Sequence, residues 1–186
     1  MQLRRWAIPA VIVVLAGAAS VGLLVRALQP AAGVAGAGPV GNNAPPNTHE
    51  MGPATVALVE DVVVHPDAER ARKLLQRYFD AINAGDYQLW RSTVTPQRAR
   101  DTGENAWRDQ YRSTLDGSIV LHRLEPRAGG GLLALLSFTS LQNPADAPPE
   151  LPVRCLRWQV SYPMIGEADQ LRLGPSSPLA NLRAPC

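Results

Sequence analysis

The chain has 186 residues, which leaves room for one ordinary domain plus attachments. Its net charge is +2, and from Pro66 onward 15 basic residues are interspersed with 13 acidic ones. There is no basic stripe with interleaved aromatics, so no nucleic-acid partner is expected. Lys73 is the only lysine, an arginine preference that reads as coding bias and not as a phosphate site.

Residues 1–5 carry Arg4 and Arg5 and are followed by an uncharged run from Trp6 to Val25. At 1.5 Å rise per residue, about 20 residues span about 30 Å, the hydrocarbon thickness of a bilayer. Arg26 and Gln29 end the run and Pro30 stops the helix, so a transmembrane helix is predicted over residues 6–28, with the lipid bilayer as its partner. The competing reading is a cleaved signal peptide, for which the small residues Ala16–Ser20 and Ala31–Gly38 offer sites. Signal-peptide cores are shorter, about 7–15 residues, which favours a retained anchor. Arg4, Arg5 and the terminal amine outweigh Arg26, which places residues 1–5 in the cytoplasm. The expected location is the cell membrane, single-pass, with the rest of the chain extracytoplasmic.

Residues 29–65 are expected to be a linker, because Gln29–Pro53 is rich in Pro, Gly, Ala and Asn and has little apolar surface to offset its ordering entropy. Thr55–Val64 is β-branched and reads as a short strand or an extended lead-in. The domain proper is placed at 66–186. Asp67 opens a helix whose apolar positions Ala71, Leu74, Leu75, Tyr78, Phe79 and Ile82 recur at helical spacing. Asn83-Ala84-Gly85 stops it, Asp86 caps a second helix over Tyr87–Val94, and Thr95-Pro96 opens a turn through Arg100. A further helix is expected at about Glu104–Arg112. After Gly117 the period changes: Ser118–Arg127 and Leu132–Leu141 form a hairpin around Gly129–Gly131, Asn143–Pro152 is a loop, Arg154–Ile165 is the clearest strand, and Leu171–Leu173 is a short edge. Helices first and antiparallel strands later give an α+β class.

The segment Leu74–Pro96, LLQRYFDAINAGDYQLWRSTVTP, resembles the opening of the NTF2-like superfamily, the cystatin-like α+β cone, including members carried by exported actinobacterial membrane proteins. Ser140–Pro148 and Cys155–Tyr162 are similar to the hairpin and penultimate strand of that exported group. The resemblance covers about Pro66–Cys186. It implies about three helices packed on a curved antiparallel sheet around a cone-shaped cavity, and it implies no activity, because this fold hosts enzymes, binders and scaffolds alike.

Enzymes of that superfamily use His, Asp or Tyr inside the cone. His122 shares an alternating face with Val120 and Leu124 and is the candidate general acid/base, although a lone histidine on an apolar face reads first as a core or rim residue. Asp80 is expected on the solvent side of the first helix and Asp101 in a loop, so neither is placed to partner it. His49, His65 and His122 are isolated, so no metal is expected, and Gly129–Gly131 lacks the Lys and Ser/Thr of a phosphate loop. No cofactor is expected. Trp90, Trp107, Tyr111, Trp158 and Tyr162 are candidate pocket residues, with core packing as the plainer role. Cys155 and Cys186 both lie in the exported part and are predicted to form a disulfide that pins the tail Pro175–Pro185 across the sheet.

The expected function is a non-catalytic, membrane-anchored extracytoplasmic module of the cell envelope that binds a protein partner or a small hydrophobic ligand. The alternative is an enzyme of the SnoaL or ketosteroid-isomerase sort working through His122. A polar, open cone in which His122 meets a carboxylate would favour catalysis, and a cone filled by aromatics would favour a scaffold.

Overall fold

The computed structural model describes residues 51–167, 170–177 and 181–186. The transmembrane prediction at 6–28 and the first part of the linker, 29–50, fall outside these residues; among the described ones no helix is long and apolar enough to cross a membrane.

The folded unit is α+β. In chain order it contains β1 (Ala57–Leu58), α1 (Glu60–Val63), α2 (Ala68–Asn83), α3 (Tyr87–Thr93), α4 (Pro96–Asp101), α5 (Glu104–Gln110), β2 (Leu115–Pro126), β3 (Leu132–Leu141), β4 (Cys155–Glu167), β5 (Gln170–Leu173) and β6 (Asn181–Pro185). The strands form one sheet in the order β1-β2-β3-β4-β5, with β6 also paired to β4. The sheet is mixed and not purely antiparallel, because β1 runs parallel to β2. Among the described residues five short or medium α-helices replace the expected three: the turn after Thr95 closes into α4, and α1 forms within the expected linker.

The unit also begins before the boundary set at residue 66. The Gly52 amide donates to Ser118 Oγ (2.8 Å), the Ser118 amide donates to the Pro53 carbonyl (2.9 Å), and Val56 and Val62 are buried. Gln76 of α2 accepts from the Val56 amide and donates to the Ala54 carbonyl. The β-branched lead-in thus packs on the domain because both its backbone and its valines find partners there.

Among the described helices the longest, α2, buries Ala71, Leu74, Leu75, Tyr78, Phe79 and Ile82 on one face, as its spacing requires. It stops at Gly85, which adopts φ +63°, a conformation that costs glycine least. Asp86 caps α3 by accepting from the Leu89 amide (2.9 Å), worth about 1 kcal/mol. Thr95 caps α4, with Pro96 at its first position. Sheet residues Leu121, Leu136, Val160 and Met164 meet α2 in one core.

Two irregularities in β2 control which side chains face that core. The pairing with β3 shifts between Gly117 and Val120 and again between Leu121 and Arg123. Each bulge adds a residue and reverses the inside/outside alternation. Asp116 is therefore inside, Ile119 and Leu121 are inside, and after the second bulge Leu124 is inside. At the first bulge Ser118 has φ +51° and is held by the Gly52–Pro53 backbone. A Cβ on the neighbouring Gly117 would collide with the Gly52 carbonyl and the Met51 side chain, so the lead-in can lie there only against glycine.

Candidate functional site

Between α2, α4, the segment after α5 and the inner faces of β2, β3, β4 and β6 lies a cavity of about 430 Å³. That volume suits a small organic molecule. Phe79, Ile82, Phe138, Trp158 and Val160 supply apolar wall, with Phe138 and Trp158 stacked at 6.1 Å between ring centroids. Polar groups converge on the same space from separate elements.

Asp116 is the deepest of them, 2% exposed. It stands opposite Ser140 in the β2–β3 register and accepts a hydrogen bond from the Ser140 hydroxyl. Asn83, at the end of α2, grips its backbone from both sides, donating to the Asp116 carbonyl (2.9 Å) and accepting from its amide (2.7 Å). Burial pushes the Asp116 carboxyl up to about 7, against the smaller opposing pull of the Ser140 hydroxyl. A carboxyl so placed exchanges its proton near neutrality.

Arg98 reaches the cavity from α4. The helix is tied to the sheet because Val94 bridges to Leu173 and the Thr95 amide donates to the Leu173 carbonyl (3.0 Å). The Arg98 guanidinium lies 5.3 Å from the ring centroids of both Tyr78 and Tyr162, donates to the Tyr78 hydroxyl (2.9 Å), and makes a longer contact with the Gly174 carbonyl (3.3 Å). Tyr111 completes the cluster. Burial first, then the neighbouring tyrosines, raises the Tyr111 and Tyr162 hydroxyls well above their ordinary value, so both remain neutral phenols.

At the β6 side, Arg183 pairs with Glu150 and sits 5.5 Å over the Trp158 ring. Trp158 Nε1 and Asn181 Oδ1 are buried without a hydrogen-bond partner, one donor and one acceptor among the residues lining the cavity. The segment that carries Asn181 and Arg183 is held to β4 by strand pairing and by the disulfide Cys155–Cys186, with Cα atoms 5.4 Å apart.

Of the predicted pocket residues, Tyr111, Trp158 and Tyr162 line the cavity. Trp90 and Trp107 do not: they pack with Tyr87 into a separate aromatic cluster, ring centroids 5.6–5.7 Å apart, in which their indole N–H groups also lack partners. Tyr111 joins the two regions, its ring 5.4 Å from that of Trp107. His122 is not in the cavity. It falls at the second bulge of β2, is exposed on the opposite face of the sheet, and hydrogen-bonds Ser137 (2.7 Å) beside Leu135, Gln159 and Leu182. It does share a face with Val120, which pairs with the same Ser137, but that face is the outer one, and the bulge turns Leu124 inward and away from it. Asp80 and Asp101 are both exposed, Asp80 accepting from Gln76 and Asp101 ending α4. Among the described residues no group of three or more His, Cys, Asp or Glu could hold a metal ion.

Sequence reasoning missed Asp116, Ser140, Arg98 and Asn181. Asp116 carries one local signal, an acidic residue immediately before Gly117, where the sequence period changes, and Arg98 a weaker one, its third place after the Thr95 cap. Comparison with known proteins finds no family model, no curated protein and no solved structure that matches this chain.

Proposed function

We propose that this chain is a single-pass membrane protein of the cell envelope whose extracytoplasmic domain is an NTF2-like cone that binds a small, partly apolar molecule. The observation that carries the reading is the open cavity with its mixed lining: aromatic walls, a buried Asp116–Ser140 pair, and the Arg98 guanidinium held among Tyr78, Tyr111 and Tyr162. The order of elements, four helices from α2 to α5 followed by long strands, supports the family assignment made from Leu74–Pro96. The apolar run Trp6–Val25 and the Arg4-Arg5 flank support the anchor, and a disulfide suits an oxidising compartment.

Native mass spectrometry of the full chain, released from its own membrane in mild detergent, tests the binding reading. A one-to-one adduct of small-molecule mass is expected, and Ala147→Trp, which places an indole among the lining residues, should remove it. A bare chain in every preparation, with no stabilisation by a library of small amphipathic compounds, would refute it.

A second reading is favoured by one observation. A buried carboxyl pushed up to about 7 at the wall of a cavity is suited to general acid/base work. An enzyme of the ketosteroid-isomerase sort would then use Asp116, with Tyr162 nearby, and not His122. Turnover of the bound compound that is lost in Asp116→Asn while binding persists would select this reading over pure binding.

A further inference from the structure

The cavity contains two arginines, and they differ in what neutralises them. Arg183 is paired with Glu150. Arg98 is in no ion pair among the described residues; its neighbours are the rings and hydroxyls of Tyr78, Tyr111 and Tyr162 and one backbone carbonyl. The other acidic groups of the cavity are committed elsewhere. Asp146 is held by Arg112 and Ser113, and Asp116 by Ser140, and neither carboxylate is among the charges acting on Arg98.

A guanidinium taken out of water is expensive unless an anion or a full set of acceptors meets it. Arg98 has two aromatic faces and two acceptors, one of them at a long 3.3 Å, so three of the five N–H donors of its fork remain uncommitted. An oxygen pair in the plane of that fork would complete it, and a carboxylate supplies such a pair in bidentate geometry. The rest of the lining sets the remainder of the molecule. Phe138 and Trp158 are stacked nearly parallel, 13° between planes, and suit a flat apolar body.

We propose that the cavity receives a small, flat, amphipathic carboxylic acid, with its carboxylate seated on Arg98 and its apolar body against Phe138 and Trp158. This rests on the cavity being a binding site, and it adds the charge and shape of the occupant.

The test is isothermal titration of the full chain at about pH 6 with a set of flat aryl carboxylic acids, from benzoic to naphthylacetic and anthracene carboxylic acid, each beside its primary amide. The best acid is expected to bind at least about tenfold tighter than its amide. Arg98→Gln should bring the acid down to the amide's affinity, and Arg98→Lys, which keeps the charge but not the fork, should fall between. The wild-type contrast requires no variant, so a misfolded Arg98→Gln protein would not spoil it. Acid and amide binding equally well would overturn the carboxylate while leaving the binding reading standing. If no acid binds although native mass spectrometry shows a small-molecule adduct, the carboxylate assignment falls alone; if neither is seen, the binding reading falls with it.

Discussion

Replacing the buried carboxyl tests the site by its effect on stability, without knowledge of any ligand. In the unfolded chain Asp116 ionises near its ordinary 3.8, whereas in the folded domain it keeps its proton up to about 7. As pH rises through that interval the unfolded state gains by releasing the proton and the folded state does not. The domain therefore loses stability between about pH 4 and pH 7, and the loss is complete above the folded value. At 1.36 kcal/mol per pH unit the interval corresponds to at most about 4 kcal/mol, and water entry or small relaxations around the carboxylate would reduce it to roughly 2–4 kcal/mol. Asp116→Asn removes the titration and keeps an oxygen to accept from the Ser140 hydroxyl. Its new amide protons can cost about 1–3 kcal/mol if unpaired, but that offset is independent of pH. Urea unfolding of the full chain at about pH 4.5 and about pH 8.5 should show the variant gaining on wild type by roughly 2–4 kcal/mol between the two conditions. Every other titrating group is common to both proteins and cancels. Parallel stability curves would show that Asp116 titrates normally, and with it the picture of a dry, carboxyl-bearing cavity would fail.

Three further outcomes are expected. Breaking the Cys155–Cys186 bond, which spans a sequence separation of 31, should lower stability by about 3–4 kcal/mol on loop-closure entropy; intact mass without reductant should be two hydrogens below that of the dithiol, and two free thiols per chain would contradict the pairing. His122→Ala should change stability by no more than about 0.5 kcal/mol, as for an exposed side chain, and leave cavity binding unaltered; a folded variant that no longer binds would put the functional surface on the outer face of the sheet. A reporter joined after Cys186 should be active only as an exported type, and cytoplasmic activity would reverse the proposed topology.

Much of the framework follows from local rules that a linear reading can apply. The spacing of Leu74, Leu75, Tyr78, Phe79 and Ile82 permits only one buried helical face, and Gly85, Asp86 and Thr95-Pro96 mark helix ends through backbone preferences that need no tertiary partner. Strand β4 was legible for a similar reason: Leu156, Trp158, Val160 and Tyr162 alternate with Arg157, Gln159 and Ser161, so Trp158 and Tyr162 fall on one face. The cysteine pairing needed only a count and a compartment.

What the linear reading could not supply is the parity of β2 and the company that Asp116 and Arg98 keep. Strict alternation along Ile119–Leu124 put His122 beside Val120 and Leu124, whereas the two bulges turn Asp116, Ile119, Leu121 and Leu124 inward and leave His122 outside. One bulge exists because the Met51–Pro53 backbone, more than sixty residues away in sequence, lies against Gly117 and Ser118, and no local pattern encodes that contact. Arg98 likewise looks like one of several surface arginines until the Val94–Leu173 bridge brings α4 against the sheet and sets it over Tyr78 and Tyr162. Periodicity determines which face of an element is apolar; only the long-range pairing of elements determines which polar side chains end up sharing a cavity, because their meeting depends on register shifts and docking contacts that are set by distant backbone.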